Sequence, residues 1–211
     1  EPPSDAALAR LTDLAQVPVW LPFPLPVDWE LAGMRHAGDE HTGAVATVVA
    51  FSGPNPLHLE GTRTTPRAEL LLIAEQPGIG LAAHLAGLTD VDPGDRVVDD
   101  VPAWRLVVAG HETPLWRVPV DEPSAFVGEA AGVWLWVLTW PWEAAAVLLA
   151  QFELRATRNG AVPALPLGRL LNIGILSDTF GLIPLWRLLS RPDVGVDAVA
   201  QQAPEGVGRV G

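Results

Sequence analysis

The chain lacks three residue types: it has no cysteine and no tyrosine, and its 13 basic residues are all arginine. Without cysteine it can form neither a disulfide framework, a thiolate nucleophile nor a Cys-ligated zinc site. Without lysine and tyrosine it also lacks a Schiff-base amine, a phosphate-loop lysine and a phenolic general acid. These absences exclude several classes of enzyme, and we predict neither a cofactor nor a bound metal.

Positive charge is also scarce. The 13 arginines stand against 25 acidic residues, which gives a formal net charge of -12. Because proteins bind nucleic acids by neutralising phosphates with basic side chains, this balance opposes any polyanionic partner. We therefore predict that the protein does not bind nucleic acid.

The most apolar stretch, residues 130–152, is long enough by count alone to cross a membrane. Against this, Glu143 lies near its centre, where inserting a carboxylate costs about 2.5–3.5 kcal/mol. No basic cluster flanks the stretch to fix an orientation. We interpret it as a buried strand followed by a short helix, expect no membrane span, and expect a cytoplasmic protein.

The spacing of apolar residues predicts an α+β fold, a single domain on a mainly antiparallel β-sheet with two or three short helices and an apolar C-terminal extension. Turn-forming residues separate the apolar runs and predict strands over 29–34, 44–51, 69–74, 104–109, 114–120, 126–129, 133–140 and 152–157. Two hairpins are expected, with turns at 36–43 and 110–113. Short helices are predicted before residue 16, where Ser4 is the N-cap, and over 81–86 and 142–150.

We divide the chain into an N-terminal arm (1–16), an α+β core domain (17–157), an apolar C-terminal extension (158–190) and a tail (191–211) of a composition typical of disorder. Four prolines make residues 17–26 an extended edge segment that packs Trp20 and Phe23. Short amphipathic pieces in the extension predict a protein partner, or a homo-oligomer, that contacts the chain there.

Four tryptophans are evenly spaced in and after the strand predicted at 133–140. An extended backbone places Trp134, Trp136, Trp140 and Trp142 on one face, unless Pro141 ends the strand before the last of them. Because the other face is apolar too, this strand belongs in the interior of the sheet. Two interpretations remain open: plain core packing, or a pocket for a small apolar or ring-bearing ligand lined by Trp134, Trp136 and Trp140.

Five sequence strings together resemble a known family: VPVWLPFPLP at 17–26, FSGPNPL at 51–57, EQPGIGL at 75–81, TPLW at 113–116 and FVGEAAGVWLW at 126–136. They are similar to an uncharacterised actinobacterial family filed under a domain of unknown function, over about residues 15–157. The resemblance implies no activity, cofactor or catalytic residue. It does imply a Cys-rich zinc ribbon before the proline-rich segment. Either that ribbon lies outside this sequence or this member lacks it, because the chain has no cysteine.

The string EQPGIG at 75–80 lies between a predicted strand and a predicted helix. Gly78 and Gly80 permit close backbone approach, and free amides at the start of the helix could hold an anion, with Glu75 as a base or metal ligand. A third glycine at dinucleotide spacing and a Lys-Ser/Thr pair are both missing, which favours a structural turn. The turn nevertheless motivates the hypothesis of an enzyme acting there on an anionic or acyl substrate.

Two polar loops contain metal-ligating residue types but no metal-binding pattern. His36, Asp39, Glu40 and His41 have no known zinc or calcium spacing, and the acidic segment from Asp90 to Asp95 departs from a calcium loop. Both are interpreted as solvated turns. The function is otherwise unknown, and our leading hypothesis is a non-catalytic binding or interaction module with a Trp-rich interior. The predicted ligand-binding residues are Glu75, Gly78, Gly80, Trp134, Trp136 and Trp140.

Overall fold

The computed structural model describes residues 3–39, 41–61, 65–89, 92–94, 97 and 100–157. Within these residues the chain forms, in order, α1 (Asp5–Leu14), β1 (Trp20–Phe23), β2 (Glu30–Asp39), β3 (Gly43–Pro54), β4 (Arg67–Glu75), α2 (Leu81–Leu85), β5 (Trp104–Val108), β6 (His111–Val118), β7 (Ser124–Ala130), β8 (Val133–Trp140), a 3₁₀ helix (Trp142–Leu149) and β9 (Glu153–Ala156).

The strands of the described residues form one nine-stranded sheet in the order β1-β9-β5-β6-β7-β8-β4-β3-β2. Neighbouring strands are antiparallel except β5 and β9, which run parallel. The prediction of a single, mainly antiparallel sheet domain with short helices is therefore confirmed. The predicted extension at 158–190 and tail at 191–211 lie outside the described residues, and the domain boundaries stay predictions.

Two tight turns connect the strands of the β5–β6 and β7–β8 hairpins. Ala109 and Gly110 join β5 to β6, and Ala131 and Gly132 join β7 to β8, all with positive φ. Two consecutive positive φ angles are typical of a type I′ turn, whose twist matches that of the strands it joins. The hairpin predicted around 110–113 forms with a shorter turn, because residues 111–113 already belong to β6.

The predicted hairpin between residues 29 and 51 also forms with a shorter turn than 36–43. Residues 36–39 continue β2 and pair with β3. β2 is the last strand in the sheet order, and both Arg35 and His36, which point to opposite faces of the strand, are exposed.

The helices follow their sequence signals with one difference. The side chain of Ser4 accepts a hydrogen bond from the amide of Ala7 (3.1 Å), which confirms the predicted N-cap of α1. The helix predicted over 142–150 forms as a 3₁₀ helix. Its three-residue repeat places Ala144 and Val147 on the same buried side.

The proline-rich segment forms the edge strand β1, which pairs with β9. Trp20 is buried as predicted, but Phe23 is 40% exposed, so the expectation that it packs inside is wrong. The guanidinium carbon of Arg155 instead lies 3.7 Å from the centre of the Phe23 ring, which is the geometry of a cation-π contact.

Strand β8 lies between β4 and β7, which confirms the prediction of an interior strand from its two apolar faces. One face contributes to the core beneath α1 and the 3₁₀ helix, with Leu70, Leu72, Leu135 and Val137 among its members. The opposite face of the same strands is also buried and carries Leu71, Ile73, Trp136 and Leu138. None of the helices in the described part of the chain has the length and apolarity needed to span a bilayer.

Candidate functional site

The tryptophans of β8 lie on the second face of the sheet. Trp136 is completely buried between Ile73 of β4 and Val127 of β7, whereas Trp134 and Trp140 are half-buried. Trp142 lies beyond the end of the strand and is 61% exposed. The tryptophan stripe therefore has three members, since Pro141 ends β8 before the fourth.

A half-open cleft lies beside this stripe, on the same face of the sheet. Its volume is about 460 Å³, and its lining comprises Pro93, Gly94, Val97, Pro114, Trp116, Val127, Gly128, Glu129 and Trp134. Strand β7 forms the floor. Trp116 of β6 lies opposite Val127, and Trp134 of β8 lies opposite Glu129, so the two indoles flank β7 from either side.

The cleft includes only one of the three tryptophans predicted to line a pocket. Trp136 and Trp140 are not among its lining residues, and Trp116 takes their place. Sequence analysis missed Trp116 because its position opposite Val127 depends on the pairing of β6 with β7. A pairing of the predicted strands at 114–120 and 126–129 was the signal that could have found it.

Glu75 ends β4, directly opposite Trp134, and is completely buried. Its Oε2 accepts a hydrogen bond from the amide of Ala82 (3.0 Å) at the start of α2. Burial raises the pKa of Glu75 to about 7, and the amides of Ala82 and Leu81 and the nearby Trp136 indole limit the rise. The Trp136 indole lies near the carboxylate, but neither Oε1 of Glu75 nor Nε1 of Trp136 has a well-aligned hydrogen-bond partner within the described residues.

The turn between Glu75 and α2 has the backbone that its sequence requires. Gly78 and Gly80 have φ angles of 85° and 72°, in the left-handed region that favours glycine. Gly80 is the N-cap of α2. The carboxylate of Glu75 accepts the hydrogen bond of the Ala82 amide, which is one of the amides that the anion-binding hypothesis assigned to a ligand. A role for Glu75, Gly78 and Gly80 in ligand binding stays a prediction.

Neither polar loop assembles a metal site in the part of the chain that is described. No group of three or more metal-ligating side chains occurs among those residues. His36 belongs to β2, and Glu40 lies outside the described residues. In the acidic segment, Oδ1 of Asp92 accepts a hydrogen bond from the amide of Gly94 (2.8 Å), as in a turn, and Asp92 is exposed.

A family model covers most of the sequence. Residues 1–173 match the model described as a family of unknown function (DUF6758). The chain belongs to the DUF6758 family. The predicted resemblance to a family of unknown function is thus confirmed, and the match also includes α1. No curated protein and no solved structure matches this DUF6758 chain significantly.

A glycine beside the cleft lets two strands of the DUF6758 domain approach closely. A Cβ on Gly128 would lie 2.3 Å from the carbonyl oxygen of Pro114 and 2.8 Å from Cδ2 of Leu115. Because the first contact is with backbone, the Gly128→Ala substitution must displace β6. We expect it to lower the free energy of unfolding by about 1–3 kcal/mol, measured by urea denaturation.

Gly33→Ala is the matched control. Gly33 also lies in a strand, but a Cβ there would meet no atom within 4 Å, and its φ is outside the left-handed region. Its unfolding free energy should change by less than about 0.5 kcal/mol. Equal losses in the two variants would mean that close approach to Pro114 is not what requires glycine at position 128.

Proposed function

We propose that this protein is a non-catalytic binding module, and that the cleft between Trp116 and Trp134 holds a small apolar or ring-bearing ligand. The observation that carries the proposal is the placement of two half-buried indoles on either side of β7, on one face of the sheet. Tryptophan offers a large, rigid surface for stacking, and such rings are typical of ligand sites.

The size and lining of the cleft support this proposal. A volume of about 460 Å³ lies in the range of small-molecule sites, which is about 300–1,000 Å³. Most of its lining side chains are apolar, as in sites that bind a ligand by burying its apolar surface. Glu129 is the one charged side chain among the described lining residues.

The structure gives less support to the two alternative hypotheses, an enzyme at the 75–80 turn and an interaction through the C-terminal extension. An enzyme at the 75–80 turn needs an accessible carboxylate, whereas Glu75 is completely buried and is bound to the amide of Ala82. A protein partner or a homo-oligomer at the extension 158–190 remains a proposal, because those residues lie outside the described part of the chain.

Saturation-transfer NMR with indole, a neutral planar probe, tests the proposal. We expect indole to receive saturation from the protein, and we expect Trp116→Ala and Trp134→Ala each to weaken its binding at least tenfold. Removing either ring deletes one wall of the cleft. Circular dichroism establishes that the variants are folded.

Trp142→Ala is the control for these two variants, because it removes an exposed indole that does not line the cleft. Its indole binding should match that of the unmodified protein. No saturation transfer at millimolar indole would refute the proposal, and so would equal transfer in all three variants.

A further inference from the structure

The electrostatics of the cleft restrict the charge of its ligand. Glu129 is exposed, lines the cleft and lies directly opposite Trp134 on the neighbouring strand. No basic side chain occurs among the described lining residues. Among the described lining residues, an anionic ligand would meet Glu129 and no basic side chain, whereas a cationic ligand would be attracted to Glu129.

One wall of the cleft includes residues from a segment whose sequence is acidic. Pro93, Gly94 and Val97 belong to the segment 89–100, which contains five aspartates and one arginine. The chain as a whole has a formal net charge of -12. Local and global charge therefore both favour the approach of a cation.

The two indoles of the cleft can also attract a cation, in addition to the carboxylate of Glu129. The face of a tryptophan ring attracts a positive charge through its quadrupole, more strongly than tyrosine or phenylalanine does. Trp116 and Trp134 stand on opposite sides of β7, with Glu129 on that strand between them. Two indoles and one carboxylate thus line the same cleft.

The cleft has few hydrogen-bond acceptors on its described side chains, and this favours some classes of cationic ligand over others. A guanidinium carries five N–H donors and a primary ammonium carries three, and donors buried without partners are costly. The described lining side chains offer these donors a single carboxylate, that of Glu129. A quaternary ammonium has no N–H donor, and its methyl groups can pack against Val127, Pro93 and Pro114.

We propose that the ligand of this cleft is a small, free quaternary ammonium compound, held between the Trp116 and Trp134 indoles with Glu129 as its counter-charge. This inference rests on the proposed function and specifies its ligand class. Choline is a small compound of this class and is the probe that we choose.

Isothermal titration should compare choline with 3,3-dimethyl-1-butanol, which has the same shape and hydroxyl but no charge. We expect choline to bind the 211-residue chain at least tenfold more tightly than the neutral alcohol. Glu129→Gln should reduce that preference to less than threefold and leave the affinity for the alcohol unchanged. Trp134→Ala should weaken both ligands, whereas Trp142→Ala should affect neither.

The outcomes separate this inference from the proposed function. Equal affinity for choline and the alcohol would overturn the quaternary ammonium assignment, while indole binding at the cleft would still support a binding module. Absence of binding by choline, the alcohol and indole would overturn both. Choline binding that is unchanged in both Trp134→Ala and Glu129→Gln would also overturn the assignment, because the site would lie elsewhere.

A vesicle experiment distinguishes binding of a free quaternary ammonium compound from binding of a phosphatidylcholine headgroup, which contains the same cation. The protein should not sediment with phosphatidylcholine vesicles at lipid concentrations equal to the choline that half-saturates it. Sedimentation that is lost in Trp134→Ala would overturn the assignment to a free compound.

Discussion

Replacing Glu75 with glutamine should stabilise the protein at pH 8 by about 3 kcal/mol and should change its stability little at pH 5. The carboxyl is completely buried, and burial raises its pKa from an ordinary value of 4.5 to about 7. That gap corresponds to about 3 kcal/mol of unfolding free energy. Glutamine keeps an oxygen that can accept from the amide of Ala82 and carries no charge at any pH.

The direction of the pH dependence follows from which state holds the proton more tightly. The folded protein binds the Glu75 proton up to pH 7, whereas the unfolded chain releases it near pH 4.5. The stabilisation associated with this proton is therefore complete below pH 4.5 and is lost as the pH rises to 7. Urea denaturation of both proteins at pH 5, 6, 7 and 8 should give curves that diverge across this window.

Subtracting the stability of the unmodified protein from that of E75Q at each pH gives the contribution of Glu75 without that of the other acidic residues. Glu69 also has a pKa raised by burial, with Arg67 lowering it in part, but this contribution is common to both proteins. Glu112→Gln serves as the control, because that side chain is 64% exposed. If E75Q and E112Q respond alike to pH, the buried carboxyl does not govern the effect.

The sequence predicted the part of the fold that depends on local spacing. Alternation along 133–140 identified β8 as an interior strand, because both of its faces are apolar. Gly110 marked one of the two tight hairpin turns, where a positive φ favours glycine, whereas the turn at Ala131 and Gly132 was not predicted. Local signals of this kind need no knowledge of distant residues.

Contacts between distant residues were beyond the same reasoning. Strand β6 pairs with β5 over residues 111–115 and with β7 over 116–118, and this change of partner brings Trp116 to the cleft. The parallel contact of β9 with β5 joins residues 46 positions apart, such as Val107 and Glu153. The spacing within either strand does not specify such a partner, so placing Trp116 at the cleft required the further assumption that the consecutive strands at 114–120 and 126–129 pair.

Glu75 shows how burial changes the meaning of a motif. The sequence placed it after the strand predicted at 69–74 and suggested a base or metal ligand, whereas the structure makes it the last residue of β4. Its side chain instead lies opposite Trp134 and binds the amide at the start of α2. Complete burial depends on neighbours from another strand, which a reading of residues 75–80 alone does not include.

The largest loss of stability should come from Trp136→Ala. Trp136 is completely buried, and its strand is paired on both sides, with Ile73 and Val127 as its neighbours in register. Truncation removes a whole indole and leaves a cavity that paired strands cannot close. We expect the free energy of unfolding to fall by about 3–5 kcal/mol, measured by urea denaturation.

Trp136→Phe and Trp142→Ala show whether burial or residue type sets this cost. Phenylalanine keeps one ring in the core and removes an indole N–H that has no full hydrogen bond in the described residues, so it should cost less than alanine. Trp142 is 61% exposed, and its loss should change stability by less than about 0.5 kcal/mol. A Trp136→Ala protein as stable as Trp142→Ala would contradict a sheet that is buried on both faces of β8. The cleft beside Trp134 depends on that same packing, because Trp134 and Trp136 share one strand and one face.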